Sequence, residues 1–231
     1  MMNYVVMMST NIMAKANRVY KTKVPVTKNQ QVEAEVVDIT YQGMGVIKID
    51  NFPIFVIDAI PGEVVQVGIT KVLKSYAFGR VIKRVKASPN RAENVDKVAI
   101  TTGIAPLANL KYEAQLTFKQ RQVEQLFKKV NVSVEVNPTI GMTDPTKYRN
   151  KAQVPVQMVN GQLETGFYRR GSHKLMPVED FYIQDPKVDE AVSVTRDVLR
   201  DLGISAYDEE THKGVVRHIM ARRGFYSHEL M

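Results

Sequence analysis

Between Gln31 and Arg84 the chain alternates apolar and polar residues in five short runs: VEAEVVDI (32–39), MGVIKI (44–49), PIFVI (53–57), EVVQVGITK (63–71) and FGRVIKRV (78–85). Alternation with a period of two places every second side chain on one face of an extended strand, so each run buries one face and shows the other to water. The separators YQG, IDNF, IPG and LKSYA bring the Gly, Pro, Asn and Ser residues that reverse a chain. Strands this short and this evenly spaced would leave unpaired edges in an open sheet, and closure removes those edges. The spacing predicts a small five-stranded barrel over residues 31–88.

Such a small barrel, of which the OB-like barrel is one kind, most often binds single-stranded nucleic acid across one face, stacking bases on aromatics and tracking phosphates with Lys and Arg. The last strand and its exit carry Lys71, Lys74, Arg80, Lys83, Arg84, Lys86 and Arg91, with no carboxylate between Val64 and Ala92. Two readings of this run stand, RNA contact and a merely solvated face, and the first is favoured. Tyr41, Tyr76 and Phe78 lie close to loops or to the basic strand, and each alone reads as core packing.

The whole chain is basic, with a formal charge of +8 and a pI near 9.5, which suits a polyanionic partner because phosphate neutralisation releases counterions. Its 231 residues are 44% hydrophobic, enough for one or two packed domains. The sequence holds no cysteine, which excludes disulfides, Cys-ligated zinc and iron–sulfur clusters, and its four His show no metal-ligand spacing. The opening MMNYVVMMSTNIMAK is too short and too interrupted for a signal peptide or membrane span. A cytoplasmic, monomeric protein without membrane contact is expected. Residues 1–30 contain Lys15, Arg18, Lys21, Lys23 and Lys28 without an acidic residue or periodicity, and read as a flexible basic arm.

After a linker over 89–109, Tyr112, Leu116, Val123, Leu126, Phe127 and Val130 repeat at three- and four-residue steps, predicting an amphipathic helix over 110–130 with Asn109 as its N-cap. A hairpin follows, AQVPVQMV and QLETGFYRRG joined by Asn160-Gly161, a pair suited to a type I′ turn. Its ends gather Tyr148, Arg149, Lys151, Tyr168, Arg169, Arg170, His173 and Lys174, a mixture that suits RNA with splayed bases. Pro186 opens a second helix over 187–202, with Val188, Ala191, Val192, Thr195, Val198, Leu199 and Leu202 as its core stripe and Gly203 as its stop. The final segment, GVVRHIMARRGFYSHELM, starts as a strand. Residues 110–231 form the predicted central α/β domain with an antiparallel sheet, so the fold class is α+β.

The stretch VVDITYQGMGVIKIDNFPIFVIDAIPGEVVQVGITKVLKSYAFGRVIKR resembles a TRAM domain, with Gly43, Gly45 and the IPGE motif at 60–63 its most specific parts. YRNKAQVPV, GFYRRGSH and GVVRHIMARR resemble the central-domain motifs of the RNA uracil-5-methyltransferases of ribosomal and transfer RNA. That resemblance implies RNA contact by Arg217, His218 and Arg222, with a structural hydrogen bond as the alternative for His218. It also implies S-adenosylmethionine as cofactor of the full-length family member and a Rossmann-like cofactor domain. Family chemistry needs a cysteine thiolate to add to the uracil ring, and this sequence has neither that thiol nor a GxGxG loop. VAITTGIAPLANL stands where many members carry cluster cysteines, which implies a cluster-free type. The expectation is therefore a truncated, RNA-binding front portion of a 23S ribosomal RNA (uracil-5-)-methyltransferase, itself inactive, whose 110–130 helix keeps part of its apolar face open. The alternatives are a stand-alone TRAM-type RNA-binding or chaperone protein, which leaves the central motifs unexplained, and an intact enzyme working through carboxylates.

Overall fold

A computed structural model describes residues 24–231. Most of the expected basic arm lies outside the described residues. Its last part does not behave as an arm, because Val26 is buried in the first core and Asn29 N–H donates to Ile69 O.

Six strands, β1 (Gln31–Glu35), β2 (Asp38–Ile39), β3 (Met44–Ile49), β4 (Phe52–Ile57), β5 (Val64–Val72) and β6 (Ala77–Lys86), form one sheet in the order β1-β5-β6-β4-β3-β2. The first predicted run is thus two strands rather than one. The break falls at Val36, which turns its N–H to Glu63 O and takes Gly62 N–H on its own carbonyl, while Val37 N–H moves on to Val46 O. One stretch of chain therefore pairs with β5 at one edge and with β3 at the other, and the sheet curls. Ile47, Ile54, Val56, Val65, Val67, Ile69 and Ala77 fill its inside, each large aliphatic contributing about 1.5–3 kcal/mol relative to exposure. Gly43 sits in the β2–β3 turn at φ 75°, and a Cβ there would lie 1.9 Å from Pro106 O. Only glycine lets this turn press against the segment that follows the sheet.

The expected linker is structured. Asp96 accepts the N–H groups of Val98 and Ala99, capping α1 (Lys97–Thr102), which buries Ala99 and Ile100. A helix of six residues is too short to show periodicity, which is why the sequence reads as linker. α2 (Tyr112–Lys129) begins at Lys111 without a side-chain cap. Asn109 is instead fully buried, with its Nδ2 3.4 Å from Asp58 Oδ1 and its carbonyl accepting Ala92 N–H. Leu110, Ala114 and Phe118 pack against Ile39 and Ile60. Farther along, Leu126 is 62% and Phe127 39% exposed, so the second half of α2 carries an open apolar face.

The second sheet orders β7 (Lys151–Val159), β8 (Gln162–Tyr168), β9 (Leu175–Pro177) and β10 (His218–Arg222) as β10-β7-β8-β9, antiparallel throughout. Asn160 and Gly161, at φ 50° and 84°, make the two-residue turn with both angles positive. α3 (Pro186–Asp201) starts on Asp185, whose side chain accepts Lys187 N–H. Val188 and Val192 join Ala152, Val154, Phe181, Ile219 and Ala221 in the second core. Ala191 and Leu199 pack against the same core, whereas Val198 is 50% and Leu202 69% exposed, so only part of the predicted stripe is covered.

One buried carboxylate ties the first sheet to the segment that leads into α2. Glu63 folds back to accept Ile60 N–H at 3.1 Å and meets Arg91 twice, Nε at 2.6 Å and Nη2 at 3.0 Å. Arg91 also reaches Asp58 Oδ1 and O, and Arg84 Nη2 donates to Asp58 O at 2.9 Å. Arg84 Nε lies 2.8 Å from Glu63 Oε1, an ion pair by distance, although its N–H is not aligned for a hydrogen bond. Burial pushes the Glu63 carboxyl up, but the Arg91 hydrogen bond, the Ile60 amide and the charges of Arg91 and Arg84 outweigh it and hold it below the usual range. A depressed carboxyl pKa gives stability that is present above the unfolded value, near 4.3, and lost as pH falls through the lower folded value. Glu63→Gln should therefore lower stability at neutral pH by about 3 kcal/mol or more, since it leaves buried charge unpaired. Urea melts at pH 7 and near pH 4 check both points: the native chain should weaken at the acid pH, and the variant should lose that part of the dependence.

Candidate nucleic-acid interface

Because Ile54, Val56, Ala77 and Gly79 point inward, the intervening Phe55 and Phe78 fall on the outer face of the sheet. β4 and β6 run parallel there with Phe55 opposite Phe78, and Tyr76 leads into the same strand. The three rings form one cluster, with centroids 5.5 Å apart for Phe55–Tyr76 and for Tyr76–Phe78, and 6.0 Å for Phe55–Phe78. Tyr76 is 37% exposed. Lys71 pairs with Phe78 across β5 and β6, Lys74 lies in the intervening turn, and Arg80 follows two residues along the outer face. All three cations are exposed and carry no ion pair among the described residues. An aromatic surface flanked by free cations can stack bases and neutralise phosphates together. Phe55 was missed in the sequence, although the alternation of PIFVI places it on the face opposite Ile54 and Val56.

The rest of the basic run divides. Lys83 is exposed and pairs in register with Gln66, toward the far end of β6. Arg84 and Arg91 are not free cations, because both guanidinium groups pair with Asp58 and Glu63. Arg91 is held above its usual pKa by those partners in spite of burial.

The second cluster is also redistributed. Lys151 and Arg222 are a register pair between β7 and β10, on the face opposite the Ala152, Val154, Ile219 and Ala221 core. Tyr148 and Arg149 are exposed just before β7, where Arg149 Nε donates to Lys151 O at 3.0 Å. Arg169 and Lys174 face solvent in the β8–β9 turn. Arg170 is a clamp between the two sheets: its Nη2 donates to Gln42 O at 2.9 Å, its N–H donates to Thr101 O and it lies against Gly103. Burial pushes its pKa down. Arg217 and His218 line a separate cavity with Tyr168 and His173. Arg223 joins Asp185 at the start of α3 and so serves the fold.

No three His, Asp or Glu side chains are placed to hold a metal ion among the described residues. No glycine-rich turn joins a strand to a following helix among them either, so none is assigned to S-adenosylmethionine. No described helix is long and apolar enough to cross a membrane.

Residues 25–82 match the family model described as the TRAM domain. A Lactiplantibacillus plantarum protein named as an uncharacterized RNA methyltransferase is 55% identical over 212 residues, which are 91% of this chain and 46% of that protein. An Enterococcus faecalis protein of the same name is 44% identical over 209 residues, 90% of this chain and 46% of its own length. Among solved structures, the Pyrococcus abyssi tRNA (uracil-54, C5)-methyltransferase in complex with S-adenosyl-L-homocysteine shares the fold, with a TM-score of 0.61 at 20% identity over 86% of this chain and 44% of that one. The first sheet is thus the part that matches the TRAM model, and over nine-tenths of its length the chain is similar to proteins named as RNA methyltransferases. It spans about half the length of the curated relatives it matches.

Neighbouring cations on β6 should separate in a stability measurement. Arg84→Ala should lower the unfolding free energy by about 3 kcal/mol, the scale for breaking one side of a buried pair. Lys83→Ala should leave it within about 0.5 kcal/mol. Paired chemical melts check this, and equal effects would contradict the assignment of Arg84 to the fold.

Proposed function

We propose that this chain is the RNA-positioning portion of a uracil-5-methyltransferase acting on 23S ribosomal RNA, a monomer of the cytoplasm. The observation that carries the reading is the Phe55, Tyr76 and Phe78 cluster with Lys71, Lys74 and Arg80 beside it. Single-stranded RNA would lie along the outer face of an OB-like sheet, its bases on the rings and its phosphates on the cations, with Lys83 extending the track. Lys151 and Arg222, with Tyr148, Arg149, Arg169 and Lys174 around the second sheet, supply a further set of contacts. In this reading S-adenosylmethionine and the nucleophilic thiolate belong to a part of the enzyme that these residues do not provide, since the sequence contains no cysteine. A stand-alone RNA-binding protein would share the charge and the aromatic face. The identity to RNA methyltransferases over 91% of the chain favours the methyltransferase reading.

Binding to unrelated single-stranded RNAs should weaken steeply between roughly 50 and 200 mM salt. Each of Lys71→Ala and Lys74→Ala should lower the slope of log affinity against log salt by about 0.7, whereas Tyr76→Ala should lower affinity by about 1–3 kcal/mol with the slope unchanged. Fluorescence anisotropy reads both. Absence of RNA binding at low salt would overturn the reading. The chain by itself should transfer no methyl group from S-adenosylmethionine to uridine in RNA, which a radiolabel assay checks.

A further inference from the structure

On the second sheet, β7, the end of β8 and the turn after it, and the loop leading into β10 enclose a cavity of about 460 Å³, within the usual range of roughly 300–1,000 Å³ for ligand clefts. Six polar side chains line it, Arg217, His218, His173, Tyr168, Glu209 and Glu210, and the Asp208 carboxylate lines it alongside them. None of these six side chains makes a hydrogen bond or salt bridge to another side chain or to backbone among the described residues. The Arg217 guanidinium and the two glutamates therefore share one cavity without pairing, an arrangement that suits a ligand presenting both hydrogen-bond donors and an anion.

The walls are fixed. Arg217 stacks over the Tyr207 ring at 3.8 Å, and Tyr207 in turn is 3.1 Å from His212 through its hydroxyl. Asp208 accepts the N–H groups of Glu210 and Thr211, which sets the turn that carries both glutamates. Tyr168 and His173 meet edge to face at 6.3 Å, and Val156, Met158 and Ala206 supply apolar surface. Apolar and aromatic walls with separated donors and acceptors fit a planar base attached to a phosphate.

We propose that this cavity takes one unpaired nucleotide of an RNA strand whose base bears an exocyclic amino group, with Glu209 and Glu210 accepting from that group and Arg217 and His218 meeting the phosphate. Carboxylates accept from the amino group of cytosine, whereas uracil offers a carbonyl oxygen at the same position and would face them acceptor to acceptor. The cavity is thus a reader of a base near the modified uridine rather than the place of the uridine itself. This rests on the RNA-binding reading above.

The test compares two single-stranded probes with the same backbone and similar stacking, a labelled cytidine hexamer and a labelled uridine hexamer, by fluorescence anisotropy on the whole chain at low salt. The cytidine probe should bind about tenfold more tightly, the scale of one good base-edge contact. Glu209→Gln with Glu210→Gln should abolish the difference without weakening the uridine probe, and Arg217→Gln should weaken both. Equal affinity of the native chain for the two probes, or a double variant that tightens both alike, would overturn the inference while leaving general RNA binding in place. Failure of both probes to bind at all would instead remove the RNA reading beneath it.

Discussion

The buried carboxylate of Glu63 is the interaction on which the arrangement depends. A lone carboxylate taken out of water would be prohibitively unfavourable, and a single long ion pair would not compensate. Glu63 is held by two guanidinium groups and a backbone amide. Its partners come from different parts of the chain: Arg84 from the last strand of the first sheet, and Arg91 from the segment that leaves it. Arg91 then pairs through its backbone with Leu110, just ahead of α2. The turn that ends β4's excursion, the exit from β6 and the start of α2 are thereby fixed to one point. The IPGE motif, legible as a family mark, has its physical reason here: the glycine permits the turn at φ 83° and the glutamate anchors it.

The same interaction decides which cations of the basic run are already paired. Arg84 and Arg91 lose their freedom to Asp58 and Glu63, and Arg170 loses its freedom to the Gln42 carbonyl and the end of α1. Beside the three aromatic rings, Lys71, Lys74 and Arg80 carry no ion pair among the described residues, and Lys83 is likewise exposed farther along β6. Charge on this face is thus smaller than the sequence suggests and better aligned with the rings.

Strand positions were legible because alternation speaks directly to burial: MGVIKI coincides with β3, and the hairpin turns at Asn160-Gly161 as its φ values require. The break in the first run was not legible, since Val36 and Val37 continue the apolar pattern while their hydrogen bonds switch between β5 and β3 edges. Nor could spacing tell a guanidinium free in solvent from one facing a carboxylate nearly thirty residues away, as with Arg91 and Glu63. Asn109 looks like a cap because it precedes an apolar repeat, but tertiary packing takes it into the Asp58 cluster instead. The central-domain motifs gave Arg217 and His218 a place near RNA, yet not the cavity they share with Glu209 and Glu210, which comes from three separated segments.

The central claim is that single-stranded RNA lies on the outer face of β4 and β6. Ultraviolet crosslinking of a short single-stranded RNA to the whole chain, followed by peptide mass mapping, tests it most directly. The account predicts crosslinks at Phe55, Tyr76 or Phe78, lost when Tyr76 and Phe78 are changed to leucine. Crosslinks confined to α2 or to the outer surface of α3, with none on these three rings, would contradict it.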